Sequence, residues 1–383
     1  MKTYFTSESV SEGHPDKIAD SISDAILDEC LRQDPESRVD ADTFVARDFC
    51  LCAGQITTKA IVDYEAVARK RIRDIGYTDP GLGFSDKSKV QVMMIKQVPD
   101  IAQGVDEAAG KEQGAGDSGM MFGYACRDTP QFMPLPITLA HALNVRLAEA
   151  RKSGQIKVLR PDGKSQVTIE YEDWVPKRAD TIVVSAQHDE CDLGVLRGQI
   201  LEKVIKPAVG KWIDSGTKVL INGTGMFITG GPAADNGFTG RQIMDDSYGG
   251  LGRHGGGPFC GKDPSKVDRS AAYMARYIAK NLVAAGLADR CEVQLSYCIG
   301  VAEPVSVYVE CFGTNKLPQE TIDELVRRNF RLKPAEIIRT LDLKKPIYAK
   351  TSVCGHFGKE DQGFSWEKTD KVPALREQAR LPK

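Results

Sequence analysis

The chain has 383 residues, well above the ~100–150 residues of a usual single domain, so two or three domains are expected. Its 51 basic and 53 acidic residues give a net charge of −2, which excludes an overall positive field for nucleic acid or an anionic membrane. Hydrophobic residues (41%) and charged residues (27%) have the balance of a globular protein. Ten scattered cysteines without a CxxC pair predict buried thiols, and a first stretch without an apolar signal core predicts a cytoplasmic protein.

Three helices are predicted from apolar residues that recur at helical spacing. They cover residues 15–32, 64–75 and 264–285. Pro15 suits the first turn of the first helix, and Gly76 suits the cap that ends the second. These helices alternate with strand patterns along the whole chain, which is typical of an α/β protein.

Strands are predicted in two further places. Apolar runs at 182–186 and 217–221 enclose a helical segment near 193–214, which predicts a β-α-β unit. Residues 292–301 and 305–309 alternate between apolar and polar side chains, which predicts a β-hairpin.

A long loop is predicted over residues 97–119, which show neither period and contain five glycines. Such a loop is usually functional, for example a lid, although a disordered linker between domains is the alternative. Prolines in the segment 129–137 and the Gly230-Gly231-Pro232 run indicate domain boundaries.

The segment 13–17, Gly-His-Pro-Asp-Lys, lies at the start of the first predicted helix. Free N–H groups and the positive end of a helix favour phosphate there. His14 has a donor for a phosphate oxygen, and Asp16 offers the hard oxygen ligands that Mg²⁺ prefers. Simple capping of the helix explains these residues equally well.

The segment 249–269 combines glycine runs with three cations at the start of the third predicted helix. Lys262, Lys266 and Arg269 follow at i, i+4 and i+7, and Gly255-Gly256-Gly257 would let backbone approach a ligand closely. We expect a phosphate there rather than a solvated basic face. The glycine spacing matches neither a P-loop nor a dinucleotide-binding motif.

Two other segments are less specific. Asp117 stands among glycines at 114–119, where it could meet a cationic substrate group or form an Asx turn. Residues 160–164 predict an ordinary turn. The five histidines show no metal-ligand spacing, and no GxSxG motif or Cys-His pair is found, so we expect neither zinc nor a covalent nucleophile.

Together these segments resemble the S-adenosylmethionine synthetase family along essentially the whole chain. The motifs that carry the resemblance are Phe5 to Lys17, Gly114 to Asp117, His254 to Gly257, Gly261 to Ser270, Gly355 to Gly358 and Trp366 to Asp370. The resemblance implies an α/β fold of three similar domains with pseudo-threefold symmetry. It also implies a homodimer, possibly paired into a tetramer, with active sites between subunits. The implied domains are 1–101, 113–230 and 231–372, with a mobile active-site loop at 97–112.

The implied reaction joins ATP and L-methionine, with Mg²⁺ and K⁺ as cofactors. The thioether sulfur attacks C5′ of the ribose and displaces tripolyphosphate, which is then hydrolysed to pyrophosphate and phosphate. A neutral sulfur needs no general base, so alignment and stabilisation of the leaving polyanion are the main tasks.

The resemblance also assigns roles by position. It implies that the catalytic residues are His14, Lys164, Arg241, Lys262 and Lys266. It implies that the ATP-binding residues are His14, Asp162, Lys164, Phe227, Asp235, Arg241, Gln242 and Lys262. It implies that the methionine-binding residues are Gln55, Gln97, Asp117, Asp235 and Lys266. The implied metal ligands are Asp16 and Asp268 for Mg²⁺ and Asp42 for K⁺.

Four positions depart from the family pattern. Gln55 stands where a Glu normally receives the methionine ammonium, and Gln242 stands where a second phosphate-facing cation is usual. Asp42 replaces a Glu, and Met226 stands where Arg is frequent. Two alternatives follow, which are a changed thioether specificity and a weakly active or non-catalytic ATP-binding paralogue.

Overall fold

The computed structural model describes residues 1–97 and 112–380, which contain three sheets. The strands are β1 (Lys2–Val10), β2 (Arg38–Ala46), β3 (Phe49–Thr57), β4 (Lys89–Ile95), β5 (Gly119–Cys126), β6 (Leu159–Glu172), β7 (Val175–His188), β8 (Lys218–Ile221), β9 (Gly237–Phe238), β10 (Arg290–Tyr297) and β11 (Ser306–Glu310). The helices are α1 (Pro15–Gln33), α2 (Tyr64–Ile75), α3 (Leu135–Lys152), α4 (Leu193–Ile200), α5 (Lys206–Val209), α6 (Ile243–Asp246), α7 (Val267–Ala284), α8 (Gln319–Asn329), α9 (Pro334–Thr340) and α10 (Val372–Gln378).

Each sheet takes a strand from a distant part of the chain. The strand orders are β1-β6-β7-β8, β11-β10-β5 and β4-β3-β2-β9. Strand β1 therefore joins a sheet otherwise built from residues 159–221. Strand β5 pairs with β10, which follows only after residue 289. The division at 1–101, 113–230 and 231–372 stays a prediction, and most of the predicted loop, residues 98–111, lies outside the described residues.

Helix α7 packs against both β5 and β10, and the chain between these strands returns to the sheet through it. Its whole length from Val267 to Val283 is buried. Arg269 on α7 donates to both oxygens of Asp24 on α1, at 2.7 and 2.8 Å. This buried pair fixes the start of α7 against the middle of α1.

The predicted helices are confirmed, with one difference at a start. Helices α1 and α2 match 15–32 and 64–75, and Gly76 ends α2 in the left-handed conformation at φ 115°. Helix α7 begins at Val267 rather than at residue 264. The reason is a turn before it, in which the Asp263 carboxylate accepts the N–H of Ser265 at 2.8 Å.

The predicted strand pairs are also confirmed. Strands β7 and β8 run parallel, and the helical segment between them is interrupted by a wide π turn at 201–205. Strands β10 and β11 pair antiparallel, but β10 ends at Tyr297 instead of residue 301. Residues 299–301 leave this sheet because they hydrogen-bond with Ala115.

All ten cysteines are free, and eight of them are buried, as the sequence predicts. None of the helices formed by residues 1–97 and 112–380 has both the length and the apolar composition that crossing a bilayer requires.

Candidate active site

The first group of predicted residues surrounds the start of α1. His14 is the N-cap of α1, and its Nδ1 accepts the N–H of Asp16 at 3.3 Å, so the capping interpretation is confirmed. Because Nδ1 accepts, the proton of the neutral ring is on Nε2, which can donate to an oxygen of a ligand. Gly13 lies so close to Pro161 that a Cβ would be 2.3 Å from its carbonyl carbon. This contact holds His14 over the start of β6.

Asp16 is a buried carboxylate whose two oxygens have different partners. Oδ1 accepts the N–H of Phe238 at 3.0 Å, and Oδ2 accepts the Gln242 amide at 2.7 Å. The Arg241 guanidinium is 3.7 Å from Oδ1 and is more than half exposed. The ion pair of Asp16 with Arg241 is thus long and partly exposed to solvent.

The Gln242 side chain contacts Asp16, and its predicted role in ATP binding stays a prediction. Its amide lies against Asp16, so its direct effect is on the carboxylate. Sequence alone could not show this, because 226 residues separate the two side chains.

The predicted turn at 160–164 is wrong, because these residues belong to β6. Within this segment β1 pairs only with Lys164, opposite Val10, and β7 pairs with Gly163 and Lys164. Residues 160–162 lie in an irregularity of the strand between Leu159 and Gly163. Because residues 160–162 have no partner in the β6–β7 or β1–β6 register, their Pro-Asp sequence looks like a turn. Lys164 is half exposed, and its Nζ is 2.8 Å from Glu8 Oε1.

Asp162 is buried beside the first group. Its Oδ2 accepts the N–H of Gly231 at 2.7 Å. Burial raises the pKa of Asp162, the His14 ring opposes this shift, and the Asp235 carboxylate adds to it. His14, Asp162 and Asp235 are therefore neighbours. Phe227 is partly buried and lies against Gly230, at the same turn.

The second group surrounds the start of α7. Lys262 forms an ion pair with Asp268, and Lys266 Nζ is 2.6 Å from Asp263 Oδ2. Burial, with the nearby Asp117 carboxylate, raises the pKa of Asp268, and Lys262 opposes the shift. Lys262, Asp268 and Asp117 are thus in one place.

This pairing corrects the expectation that three cations at the helix start need one anion. Arg269 is fully buried on Asp24, so it does not reach a ligand. Lys262 and Lys266 have carboxylate partners of their own and would have to exchange them for phosphate oxygens.

The glycines at 255–257 also have a different cause than predicted. A Cβ on Gly255 would lie 1.7 Å from the carbonyl oxygen of Met120, and one on Gly257 would lie 2.2 Å from Asp268 Oδ1. Two of the three glycines therefore make room for the protein itself, and Gly257 lets the Asp268 carboxylate take its position.

The remaining predicted residues lie on the sheet of β2, β3 and β4. Asp42 is on β2, within electrostatic range of Asp40 and Lys262. Gln55 is on β3, directly opposite Asp40. Gln97 lies two residues after β4, whose Ile95 pairs with Gln55.

Asp40 is a residue that the sequence analysis missed. Its backbone forms a bridge with Lys262, and its carboxylate is close to both Lys262 and Lys266. The alternation of Asp40 and Asp42 on one face of β2 was the available signal.

The two groups lie at different places along α1. Asp16 is in the first turn, whereas Asp24, which accepts the N–H of Gly261 at 2.8 Å, is eight residues further. A helix rises ~1.5 Å per residue, so about 12 Å of α1 separates them. The predicted residues of one chain therefore form two groups, one at the start of α1 and one at the start of α7. None of the predicted residues lines the groove of about 670 Å³ between α3 and residues 350–362.

A buried group with metal-ligand chemistry lies elsewhere, although the histidine spacing did not predict it. Asp246, Cys260 and His356 each place one potential ligand atom within 4.8 Å of the others. The Lys17 ammonium contacts Asp246 and donates to Asp20 at 3.0 Å, so a positive charge is already present. We interpret this group as a buried ion-pair network.

Comparisons with known proteins agree with the resemblance. Three models of S-adenosylmethionine synthetase match the chain, with the N-terminal domain at residues 2–99, the central domain at 112–227 and the C-terminal domain at 229–368. An S-adenosylmethionine synthase of Syntrophobacter fumaroxidans is 54% identical over 382 residues, covering 98% of each chain. The chain therefore belongs to the S-adenosylmethionine synthetase family and has methionine adenosyltransferase activity.

Proposed function

We propose that each active site forms between two copies of the chain, with the start of α1 from one copy facing the start of α7 from the other. The observation that carries this proposal is the separation of the two partial groups along α1. Large apolar side chains are exposed on the sheets, which favours a covered surface there. They include Met93, Ile95, Met120 and Tyr308. A homodimer is then the smallest active unit, and pairing into a tetramer stays a prediction.

In this site the protein aligns the substrates and stabilises the leaving group. The methionine sulfur forms a bond to C5′ of ATP as the bond from C5′ to the tripolyphosphate oxygen breaks. The His14 Nε2–H would donate to that oxygen, while Nδ1 accepts the Asp16 N–H. Other cations receive the phosphates, and further side chains hold the adenosine. The cations are Lys164, Arg241, Lys262 and Lys266, and the adenosine contacts are Asp162, Phe227 and Asp235.

The proposed Mg²⁺ ligands differ in how close a positively charged side chain lies to each carboxylate. Asp16 of one copy and Asp268 of the other would hold Mg²⁺, which supplies positive charge for the polyphosphate when it is bound. Asp16 has Arg241 at 3.7 Å, whereas Asp268 contacts Lys262 directly. Asp42 would hold K⁺. The carboxylates of Asp40 and Asp20 are within electrostatic range of Asp42, which favours a cation.

Three further proposals come from the resemblance. Residues 97–112 stay the predicted active-site loop, of which 98–111 lie outside the described residues, and the three predicted domains would be the folding units. A cytoplasmic location agrees with ten free cysteines.

The activity is tested by incubating the purified protein with ATP, methionine, Mg²⁺ and K⁺. We expect S-adenosylmethionine, pyrophosphate and phosphate in equal amounts, measured by mass spectrometry and phosphate assay. Accumulation of intact tripolyphosphate would contradict the hydrolysis step. A panel of thioethers tests the alternative that Gln55 changes specificity, which fails if methionine has the highest kcat/KM.

Gln242 provides a separate prediction about the metal. The Gln242 amide nitrogen is 2.7 Å from Asp16 Oδ2, so a Lys at this position brings an ammonium near the carboxylate. Gln242→Lys should raise the Mg²⁺ concentration for half-maximal rate about tenfold, because the new ion pair competes with the metal. The rate at saturating Mg²⁺ should change much less.

The matched control is Gln362→Lys, which adds the same charge at an exposed position. An unchanged or lower Mg²⁺ requirement in Gln242→Lys would contradict the role of the amide at Asp16. It would favour the original prediction, in which this side chain faces a phosphate.

A further inference from the structure

Asp40 and Gln55 form a directly opposed pair in the antiparallel ladder of β2 and β3. Side chains of such a pair project from the same face of the sheet, with Cβ atoms about 5 Å apart. Asp42 is two residues further along β2 and shares this face. A carboxylate thus lies beside the position where the family normally has Glu and this chain has Gln55.

The surroundings of Asp40 are the proposed methionine site. Lys266, Lys262 and Asp117 are all within electrostatic range of its carboxylate. Burial raises the pKa of Asp40, Asp263 and Asp117 add to this shift, and the two lysines oppose it. The side chain is half-buried.

Asp40 also differs from its charged neighbours in having no partner of its own. Lys262 is paired with Asp268, and Lys266 is paired with Asp263. The Asp40 carboxylate makes no hydrogen bond or ion pair with residues 1–97 or 112–380 that the structure records. A half-buried carboxylate without a partner is suited to an ammonium group of a ligand.

We infer that Asp40 supplies the negative charge that receives the methionine ammonium, in place of the Glu that is usual at position 55. This inference rests on the proposed methionine site. The Gln55 amide oxygen would accept one N–H of the ammonium, and the Asp40 carboxylate would accept another. The negative charge is then on β2, at Asp40, instead of on β3, at position 55. The specificity for methionine as an amino acid is therefore kept.

The test is the variant Asp40→Asn, which keeps the shape of the side chain and removes its charge. We expect KM for methionine to rise roughly tenfold to a hundredfold, from the loss of a hydrogen bond to a charged group. The kcat value and KM for ATP should change little, because this contact is made equally in the ground state and the transition state. Discrimination against 3-(methylthio)propionate, which lacks the amino group, should fall by a similar factor.

Rescue separates this role from a structural one. In Asp40→Asn, the second substitution Gln55→Glu should restore KM for methionine, since it returns a carboxylate to the same face of the ladder. The exposed Asp361→Asn is the control for loss of an acidic side chain.

The variant Asp117→Asn separates failure of the Asp40 inference from failure of the proposed methionine site. If Asp117→Asn raises KM for methionine and Asp40→Asn does not, the inference is overturned and the proposed site stands. If neither variant changes it, both the site and the inference fail. If KM for methionine rises in Asp40→Asn and Gln55→Glu does not restore it, the inference that Asp40 replaces the usual Glu at position 55 is also overturned.

Discussion

Replacing His14 by Asn should lower kcat about 10²- to 10³-fold, which is the usual effect of removing one hydrogen-bond donor to charge that develops in a transition state. The structure allows a specific test because the two ring nitrogens have separate tasks. Nδ1 caps α1 by accepting the Asp16 N–H, and Nε2 is the donor proposed for the departing oxygen. Asn is itself a good N-cap residue, so the variant keeps the cap, and its shorter side chain leaves no donor at the position of Nε2.

The control for this experiment is the stability of the variant. The thermal unfolding midpoint and the helical circular dichroism of His14→Asn should match those of the original protein. A kcat within a factor of about two, measured with the helix intact, would show that His14 only caps the helix. A large loss of stability with an equal loss of activity would have the same meaning.

Local patterns predicted the helices of this fold well because each signal lies within a few residues. The apolar spacing of α1 and α2 and the cap at Gly76 are local, and both helices match their predicted bounds. Residues 160–164 were predicted as a turn because their sequence is turn-like, whereas their place in β6 depends on pairing with β7 and β1. Pairing between distant strands also joins β5 to β10, which no periodicity reveals.

The site shows the same limit in its electrostatics. Sequence placed His14 and Asp16 at a helix start, and Lys262 and Lys266 at another, and the structure has them there. It could not show that Asp268 and Asp263 already pair with those lysines, or that Gln242 contacts Asp16. The charges that stay available to a ligand depend on partners that the fold brings together. Spacing along one helix does not reveal those partners.

Mixing two inactive variants should restore activity if each site takes one group from each copy. His14→Asn damages the group at α1, and Lys262→Met damages the group at α7. In a mixed dimer, one site receives both damaged groups and the other receives both intact groups. Random exchange of subunits makes half of the dimers mixed, so about a quarter of the original activity should return.

The measurement is the rate of S-adenosylmethionine formation after the two variants are unfolded and refolded together, compared with each variant refolded alone. The control is a mixture of His14→Asn with Arg241→Met, because both substitutions damage the group at α1 and no mixed dimer then has an intact site. Activity in the first mixture and not in the second requires that Asp16 and Lys262 groups from different copies meet. If neither mixture gains activity although mixed dimers form, each chain must complete its own site, and the separation along α1 would have to be bridged by a rearrangement within one copy.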